Sequence, residues 1–235
     1  MKYKTIVIGS STGIGLAITK KLLDRKHKVT GVSRRGLNLD NQLYNHLKLD
    51  VSDKDFIIKI KNEIDLKEYN NLIYCVGINN IKLAKECSQE DLENIFKVNL
   101  IPALLISFEF SKTRNYSLHS SILFVGSIWS SFGLKGRSIY GASKAALSGF
   151  AKHLSAEISD AECLVNVISP GFTDTELTKR SYSDPLIQKS LSRVKGKVLI
   201  KPDAIADLCY SLIRPNNKCI TGQEIFADGG FSGHA

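Results

Sequence analysis

The sequence predicts a doubly wound α/β fold: one parallel sheet with helices on both faces, in three layers. Three observations lead there. Short Val/Ile/Leu-rich runs alternate with amphipathic stretches from end to end, the pattern of successive βα units. The first run flows straight into a glycine-rich loop that opens a helix. No Gly/Ser/Pro linker and no internal repeat divides the chain, so its 235 residues suit a single domain spanning 1–235.

The elements follow in order. Thr5–Ile8 is the first strand. Lys2 and Lys4 ahead of it give a passing likeness to a secretory leader, but the apolar run is too short and ends in glycine. Gly15–Leu23 has the apolar spacing of a helix. Lys28–Ser33, His46–Leu49 and Asn71–Val76 read as strands two to four. Asp91–Phe110 reads as one long helix, Ser121–Ser127 as a strand, Tyr140–Ser159 as a helix and Leu164–Ser169 as a strand. Several strands are continuous apolar runs, as strands covered on both faces should be. The stretch 173–200 is polar and irregular, and a long insertion of that kind suits a substrate lid. Asp203 after Pro202 starts a helix to Leu212, and Glu224–Ala227 closes the sheet.

Composition narrows the function. Hydrophobic residues are 43% and charged residues 23% of the chain, which is globular rather than disordered. No apolar run approaches the roughly 18 residues that span a bilayer, so no membrane is expected. Five scattered cysteines without a C-x-x-C pair argue against a disulfide framework and a zinc site. The histidines show no ligand spacing, so no metal is expected, and a reducing cytoplasm fits. The net charge is +9. The basic residues form no block that would mark a nucleic-acid surface. They are either a solvated coat or a field that steers an anionic ligand.

The loop Gly9-Ser10-Ser11-Thr12-Gly13-Ile14-Gly15 follows strand one directly. Glycine lets backbone turn tightly and approach a pyrophosphate, and the helix behind offers free N–H groups and a positive dipole end. The spacing is G-x-x-x-G-x-G rather than the G-x-G-x-x-G of the commoner Rossmann loop. Cofactor choice is argued from the end of strand two, Val32-Ser33-Arg34-Arg35. A site for NAD places a carboxylate there for the ribose 2′-hydroxyl. Ser33 cannot repel a phosphate and Arg34 can fork onto one, so NADP(H) is favoured over NAD(H). The plainer reading is a solvated arginine pair.

Tyr140 and Lys144 are four residues apart and share a helix face. Alone, that pair commonly decorates a surface. Ser127 ends the strand Ile122–Gly126, at the carboxyl edge where open α/β sheets bind ligands. A serine hydroxyl can hold a carbonyl oxygen, and a tyrosine whose pKa a neighbouring ammonium lowers can act as acid or base. The cofactor carries the hydride.

At this point the chain resembles the classical short-chain dehydrogenase/reductase family over nearly its whole length. Ser127, Tyr140 and Lys144 match in order and spacing, as does the loop 9–15. The resemblance implies that Asn99 completes a proton-relay tetrad and that Asp50-Val51 contacts adenine, where a turn aspartate is the alternative. It implies that Pro170, Gly171, Thr173 and Thr175 contact the nicotinamide end, and that Ala227–Gly230 also fits. It implies a homotetramer or homodimer. The pattern is most similar to 3-oxoacyl-acyl-carrier-protein reductases. Two positions depart: Ile8 stands where the family has threonine, and Tyr74-Cys75-Val76-Gly77 replaces N-N-A-G, leaving only Gly77.

The expectation is therefore an NADPH-dependent reduction of a ketone, on a small-molecule or carrier-bound carbonyl substrate. Alternatives are an NAD-dependent alcohol or sugar dehydrogenase and a non-catalytic dinucleotide sensor. An intact Ser/Tyr/Lys set argues against the sensor. Trp129 is either a substrate-pocket wall or ordinary packing, and Cys75 is a small buried hydrophobe.

Overall fold

The computed structural model describes residues 3–113, 119–158, 163–180 and 185–234. Seven strands, β1 (Lys4–Ile8), β2 (Lys28–Ser33), β3 (Tyr44–Lys48), β4 (Asn71–Tyr74), β5 (Ser120–Val125), β6 (Cys163–Pro170) and β7 (Glu224–Ala227), form one sheet in the order β3-β2-β1-β4-β5-β6-β7. Every pairing is parallel.

Side-chain alternation splits each central strand between two apolar layers. Ile6, Ile8, Leu72, Tyr74, Ile122 and Phe124 face one side, with Ala103, Ile106, Phe110, Leu147 and Ala151. Val7, Ile73, Leu123 and Val125 face the other, with Ile18, Leu22, Ile205 and Cys209. Helices α1 (Gly13–Asp24) and α8 (Pro202–Ile213) thus cover one face. Helices α2 (Phe56–Glu63), α3 (Gln89–Asn99), α4 (Ile101–Thr113) and α5 (Ser138–Glu157) belong to the other. Both faces are buried, which is why the strands read as unbroken apolar runs. Chain order reverses between β1 and β4, and that switch point is where such sheets open a ligand crevice.

Three sequence expectations change. The long helix Asp91–Phe110 is two helices. Pro102 has no N–H to give Val98, and Leu100, between the two helices, is distorted to φ −119°, ψ −62°. Helix α2 was not expected; only Phe56 and Ile60 of its eight residues are buried, too few to announce it. The region 173–200 is not irregular throughout: α6 (Glu176–Lys179) and α7 (Pro185–Leu191) lie in it, and Leu191 and Val194 are anchored beside Phe172 and Phe231. Residues 181–184 of that region, and Ser159 at the end of a predicted helix, lie outside the described residues. By composition Gln89–Lys112 is also long and apolar enough for a membrane span, against expectation. The break at Leu100 and the burial of Ile95, Asn99, Ile106 and Phe110 at 0–1% exposure assign it to the core instead.

Gly15 is the tightest point in the β1–α1 junction: an added Cβ would lie 2.0 Å from the Gly9 carbonyl oxygen. Gly15→Ala should destabilise the chain by about 1–3 kcal/mol, as overpacking against backbone does, read as a lower urea midpoint. An unchanged midpoint would contradict that close contact.

Candidate active site

One cavity of about 390 Å³ runs along the carboxyl edge of the sheet, from the end of β2 past the glycine loop to Ser127 and Tyr140. Its middle is the junction of β1 and α1. Gly9 has φ +93° and donates its N–H to Val32 O at 2.7 Å. A Cβ there would meet the Cys75 carbonyl at 2.9 Å. Thr12 stands at the N-cap of α1 in an extended conformation, and its side chain makes no capping bond. The first-turn N–H groups therefore face the cavity as an anion site.

At the β2 end, Arg34 and Arg35 are exposed and line the cavity. Ser33 is 9% exposed and donates to Arg35 O at 2.6 Å, which closes the turn that carries the arginines. Asp50 is not in the cavity wall, whereas Val51 is. The Asp50 carboxylate accepts from Ser52 N at 2.9 Å and Ser52 Oγ at 2.8 Å. Burial works to raise its pKa, but those bonds, with Arg34 and Lys97, bring it below the usual carboxylate range. Its contact with Arg34 is 3.8 Å, with Arg34 70% exposed. Such a pair is worth about 0–1 kcal/mol, too little to keep Arg34 from a phosphate.

At the other end, Ser127 leaves β5 at the N-cap of the 3-10 turn Ile128–Ser130, and Trp129 N donates to its Oγ at 3.3 Å. Tyr140 lies in the first turn of α5. Lys144, one turn later, is 3% exposed and donates from Nζ to Val125 O at 2.9 Å. Gly77 keeps room for that ammonium, since a Cβ there would be 3.3 Å from Lys144 Nζ. Burial pushes Lys144 down to about 8.

Tyr140 departs from the sequence expectation. Burial raises its pKa, opposed by a hydrogen bond with Ser127 and by the charge of Arg137. Lys144 sits 5.9 Å from the Tyr140 ring centre and spends one of its three N–H donors on Val125 O, and Arg137 is a second cation that bears on the phenol. Asn99 is fully buried and holds the backbone of one residue at both its groups. Its Oδ1 accepts from Ile78 N at 2.8 Å, while Nδ2 donates to Ile78 O at 3.0 Å and Ser143 Oγ at 3.1 Å. It lies behind the cavity wall and fixes the strand exit at Gly77-Ile78, which does line the cavity.

The segment after β6 closes the cavity. Pro170, Gly171, Thr173 and Thr175 all line it, as do Ser11, Thr12, Gly13, Ile14 and Gly15. Thr175 caps α6 by accepting from Thr178 N at 3.3 Å. It also leans on the glycine loop, its Cγ2 3.2 Å from where a Gly13 Cβ would be. Trp129 lines the cavity and meets Phe172 and Phe231 edge to face, at 5.7 and 5.8 Å between ring centres. It is both pocket wall and packing. Among the described residues no cluster could hold a metal ion. Sequence reasoning missed Arg137, Asn79, Leu177 and Arg180, which also line the cavity. Arg137 had a readable signal: positions 137, 140 and 144 share one helix face.

A family model described as enoyl-(acyl carrier protein) reductase matches residues 8–232. The 3-oxoacyl-acyl-carrier-protein reductase of Escherichia coli K12 is 30% identical over 233 residues, covering 96% of this chain and 95% of that one. Carbonyl reductase family member 4 of Xenopus laevis is 32% identical over 240 residues, covering 97% of each. The solved structure of 4-hydroxyisoleucine dehydrogenase complexed with NADH superposes with a TM-score of 0.90 at 25% identity, covering 99% of each chain.

The buried lysine gives a pH signature. Its folded pKa of about 8 lies below its ordinary value. Below pH 8 both folded and unfolded chains hold the proton, and the fold bears the whole cost of the buried ammonium. Between about 8 and about 10.5 the unfolded chain binds more protons, so stability rises with pH. Urea unfolding of the cofactor-free protein should show the wild type gaining on Lys144→Met by about 3 kcal/mol across that window. A pH-independent difference would mean that Lys144 is not desolvated.

Proposed function

The chain belongs to the short-chain dehydrogenase/reductase family, and on that premise we propose that it is an NADPH-dependent reductase that converts a ketone to a secondary alcohol. At family level it is an NAD(P)-dependent oxidoreductase. One observation carries the finer reading: a single cavity joins the glycine loop to Ser127, Tyr140 and Lys144.

The residues suit a phosphorylated dinucleotide. Gly9 and Gly15 clear the backbone, the α1 N-terminus offers N–H groups, and Val51, Gly77, Thr173 and Thr175 stand along the walls. Arg34 meets the 2′-phosphate, at a position where Ser33 brings no carboxylate. When bound, the cofactor supplies hydride to the carbonyl carbon. Ser127 holds the carbonyl oxygen by hydrogen bond, and Tyr140 gives that oxygen its phenolic proton. Burial keeps the phenol protonated at neutral pH, which suits an acid and so favours reduction. Lys144 holds the ribose end through its buried ammonium. Asn99 serves by holding Ile78 and Ser143 in place, as one member of the relay set.

The whole chain acts as one dinucleotide-binding unit with 173–200 as its lid. Its setting is the cytoplasm, and its substrate is a small or carrier-bound carbonyl compound. It works as a homodimer or tetramer. The apolar side chains of Ile101, Leu105 and Phe108 are 48%, 44% and 41% exposed along one stripe of α4, a face that a second copy would cover.

Arg34→Ala should weaken NADPH about tenfold more than NADH, as loss of a charge-assisted phosphate contact does; fluorescence titration with each cofactor measures it. Equal losses would remove Arg34 from the 2′-phosphate. Tyr140→Phe should abolish turnover with NADPH affinity nearly intact, and near-normal turnover would show that Tyr140 is not the acid.

A further inference from the structure

His46 stands in the middle of β3, the edge strand, opposite Gly31 of β2. It is not in the cavity wall but behind it. Its Nε2 lies 3.1 Å from Arg35 O and 3.3 Å from Ser33 Oγ, and its Nδ1 lies 2.7 Å from Tyr44 Oη. A carbonyl can only accept, so Nε2 carries a proton. In the neutral ring Nδ1 is then the acceptor and Tyr44 the donor. Arg35 O thus receives two bonds, one from His46 and one from Ser33 at 2.6 Å. That carbonyl closes the turn of Arg34 and Arg35, both of which line the cavity.

The ring can take a second proton without losing a bond. A protonated Nδ1 donates, and Tyr44 then accepts and turns its own proton elsewhere. Gly31 provides the place. A Cβ there would collide with Tyr44 Oη and lie 2.6 Å from Ser10 Oγ, so both oxygens reach into the space that glycine leaves. Ser10 is fully buried, and its Oγ makes no other hydrogen bond among the described residues. Burial raises the Tyr44 pKa, opposed by Ser10, so the phenol stays protonated. A polar path runs from the glycine loop through Tyr44 and His46 to the arginine turn.

The charges around His46 set its resting state. Arg34 and Arg35 lie on the turn it holds, and Lys48 follows two residues on along the same side of β3. Burial lowers the His46 pKa, opposed by hydrogen bonds to the backbone of Arg35 and Ser33. The carboxylates of this corner face the arginines: Glu176 is 3.9 Å from Arg35, and Asp50 is 3.8 Å from Arg34. At neutral pH the ring therefore rests uncharged. A dianionic phosphate on Arg34 shifts that balance, because an anion close by favours the charged imidazole.

We propose that His46 is a positioning residue for the cofactor's 2′-phosphate. It holds the Arg34-Arg35 turn by the Arg35 carbonyl. On taking a second proton it adds a charge behind the arginines, so that preference for the phosphorylated dinucleotide rises as pH falls. This role deepens the NADPH reading of the site and rests on it. By linkage the effect runs both ways: protonation tightens the phosphate, and the phosphate tightens the proton.

The test uses the whole chain with NADP⁺ and NAD⁺, the forms of the cofactor that survive acid. Histidine ring NMR is followed across about pH 5 to 8, the range in which a histidine titrates, with the His46 signal identified by its loss in His46→Gln. Its titration should move to higher pH on NADP⁺ and stay in place on NAD⁺. Calorimetry over the same range gives the ratio of the NAD⁺ to the NADP⁺ dissociation constant. His46→Gln keeps an N–H for Arg35 O but takes no second proton, and comparison with it cancels protonation of the phosphate itself. Towards acid the wild-type ratio should gain about three- to tenfold on that of His46→Gln, as one added charge at roughly 6–10 Å does near a surface. His46→Leu also drops the brace, and should lower the ratio even at the alkaline end, where His46→Gln recovers it. Tyr44→Phe leaves Nδ1 no acceptor, and should keep the alkaline ratio while moving its rise to lower pH. A His46 titration indifferent to NADP⁺, or wild-type and His46→Gln ratios that run parallel, would overturn the proposal; the NADPH reading would stand on the loss in Arg34→Ala. A wild type that prefers NAD⁺ at every pH would remove both.

Discussion

The Lys144 ammonium donates to the Val125 carbonyl where β5 ends, with almost no exposure to water. A strand's last carbonyl ordinarily finds a ladder partner or solvent. Here it finds a charged donor from α5, and the pairing sets how that helix lies across the sheet edge. The candidate active site follows from that placement. Tyr140 is one turn back on the same face, and Ser127 is two residues beyond Val125 on the chain leaving the strand. The arrangement needs space, and the space comes from Gly77 at the exit of β4. The desolvated lysine is itself a cost to the fold, visible as its depressed pKa. A binding site accepts such a cost because the charge must be in place before a ligand arrives.

The second constraint is the kink between α3 and α4. Pro102 cannot bond back to Val98, so the Val98 carbonyl would be left unpaired inside the molecule. Tyr74 donates its hydroxyl to that carbonyl at 2.6 Å. Tyr74 opens the segment Tyr74-Cys75-Val76-Gly77, where the family pattern has asparagine, and its phenol does structural work from the end of β4. Next to the kink, Asn99 holds the Ile78 residue by both its backbone N–H and its carbonyl. The departure from N-N-A-G is thus local and compensated: the loop is braced from α3 and the kink, and Gly77 keeps its place beside Lys144.

These two constraints explain what was legible in the sequence. The central strands, buried on both faces, announce themselves as apolar runs, and all seven strands were found, two with exact ends and the others with ends within two residues. The glycine loop and the Ser127/Tyr140/Lys144 set were legible because each needs a particular residue at a particular spacing. Helix α2 was not, because it buries only Phe56 and Ile60. The break at Leu100 was readable in principle from Pro102, but apolar periodicity ran across it. The anchoring of residues 173–200 was hidden for another reason. Leu191 and Val194 pack against Phe172 and Phe231, contacts far apart in sequence that no local pattern encodes. Asp50 shows a limit of motif reading: the residue is where the resemblance puts it, and its carboxylate is engaged with Ser52.

The electrostatics of Tyr140 ties the site together. A phenol in a buried pocket stays protonated unless nearby charge opposes burial. Sequence reasoning assigned that charge to Lys144 from helical spacing alone. The structure turns Lys144 toward the strand and leaves Arg137 as the cation that lowers the Tyr140 pKa, together with Ser127. Spacing on a helix says which side chains share a face, not where their ends go. Lys144 has a long stem and a backbone acceptor within reach, so one N–H goes to Val125 while the ammonium stays 5.9 Å from the Tyr140 ring centre. Arg137 stays buried at the start of the helix, where its charge bears on Tyr140.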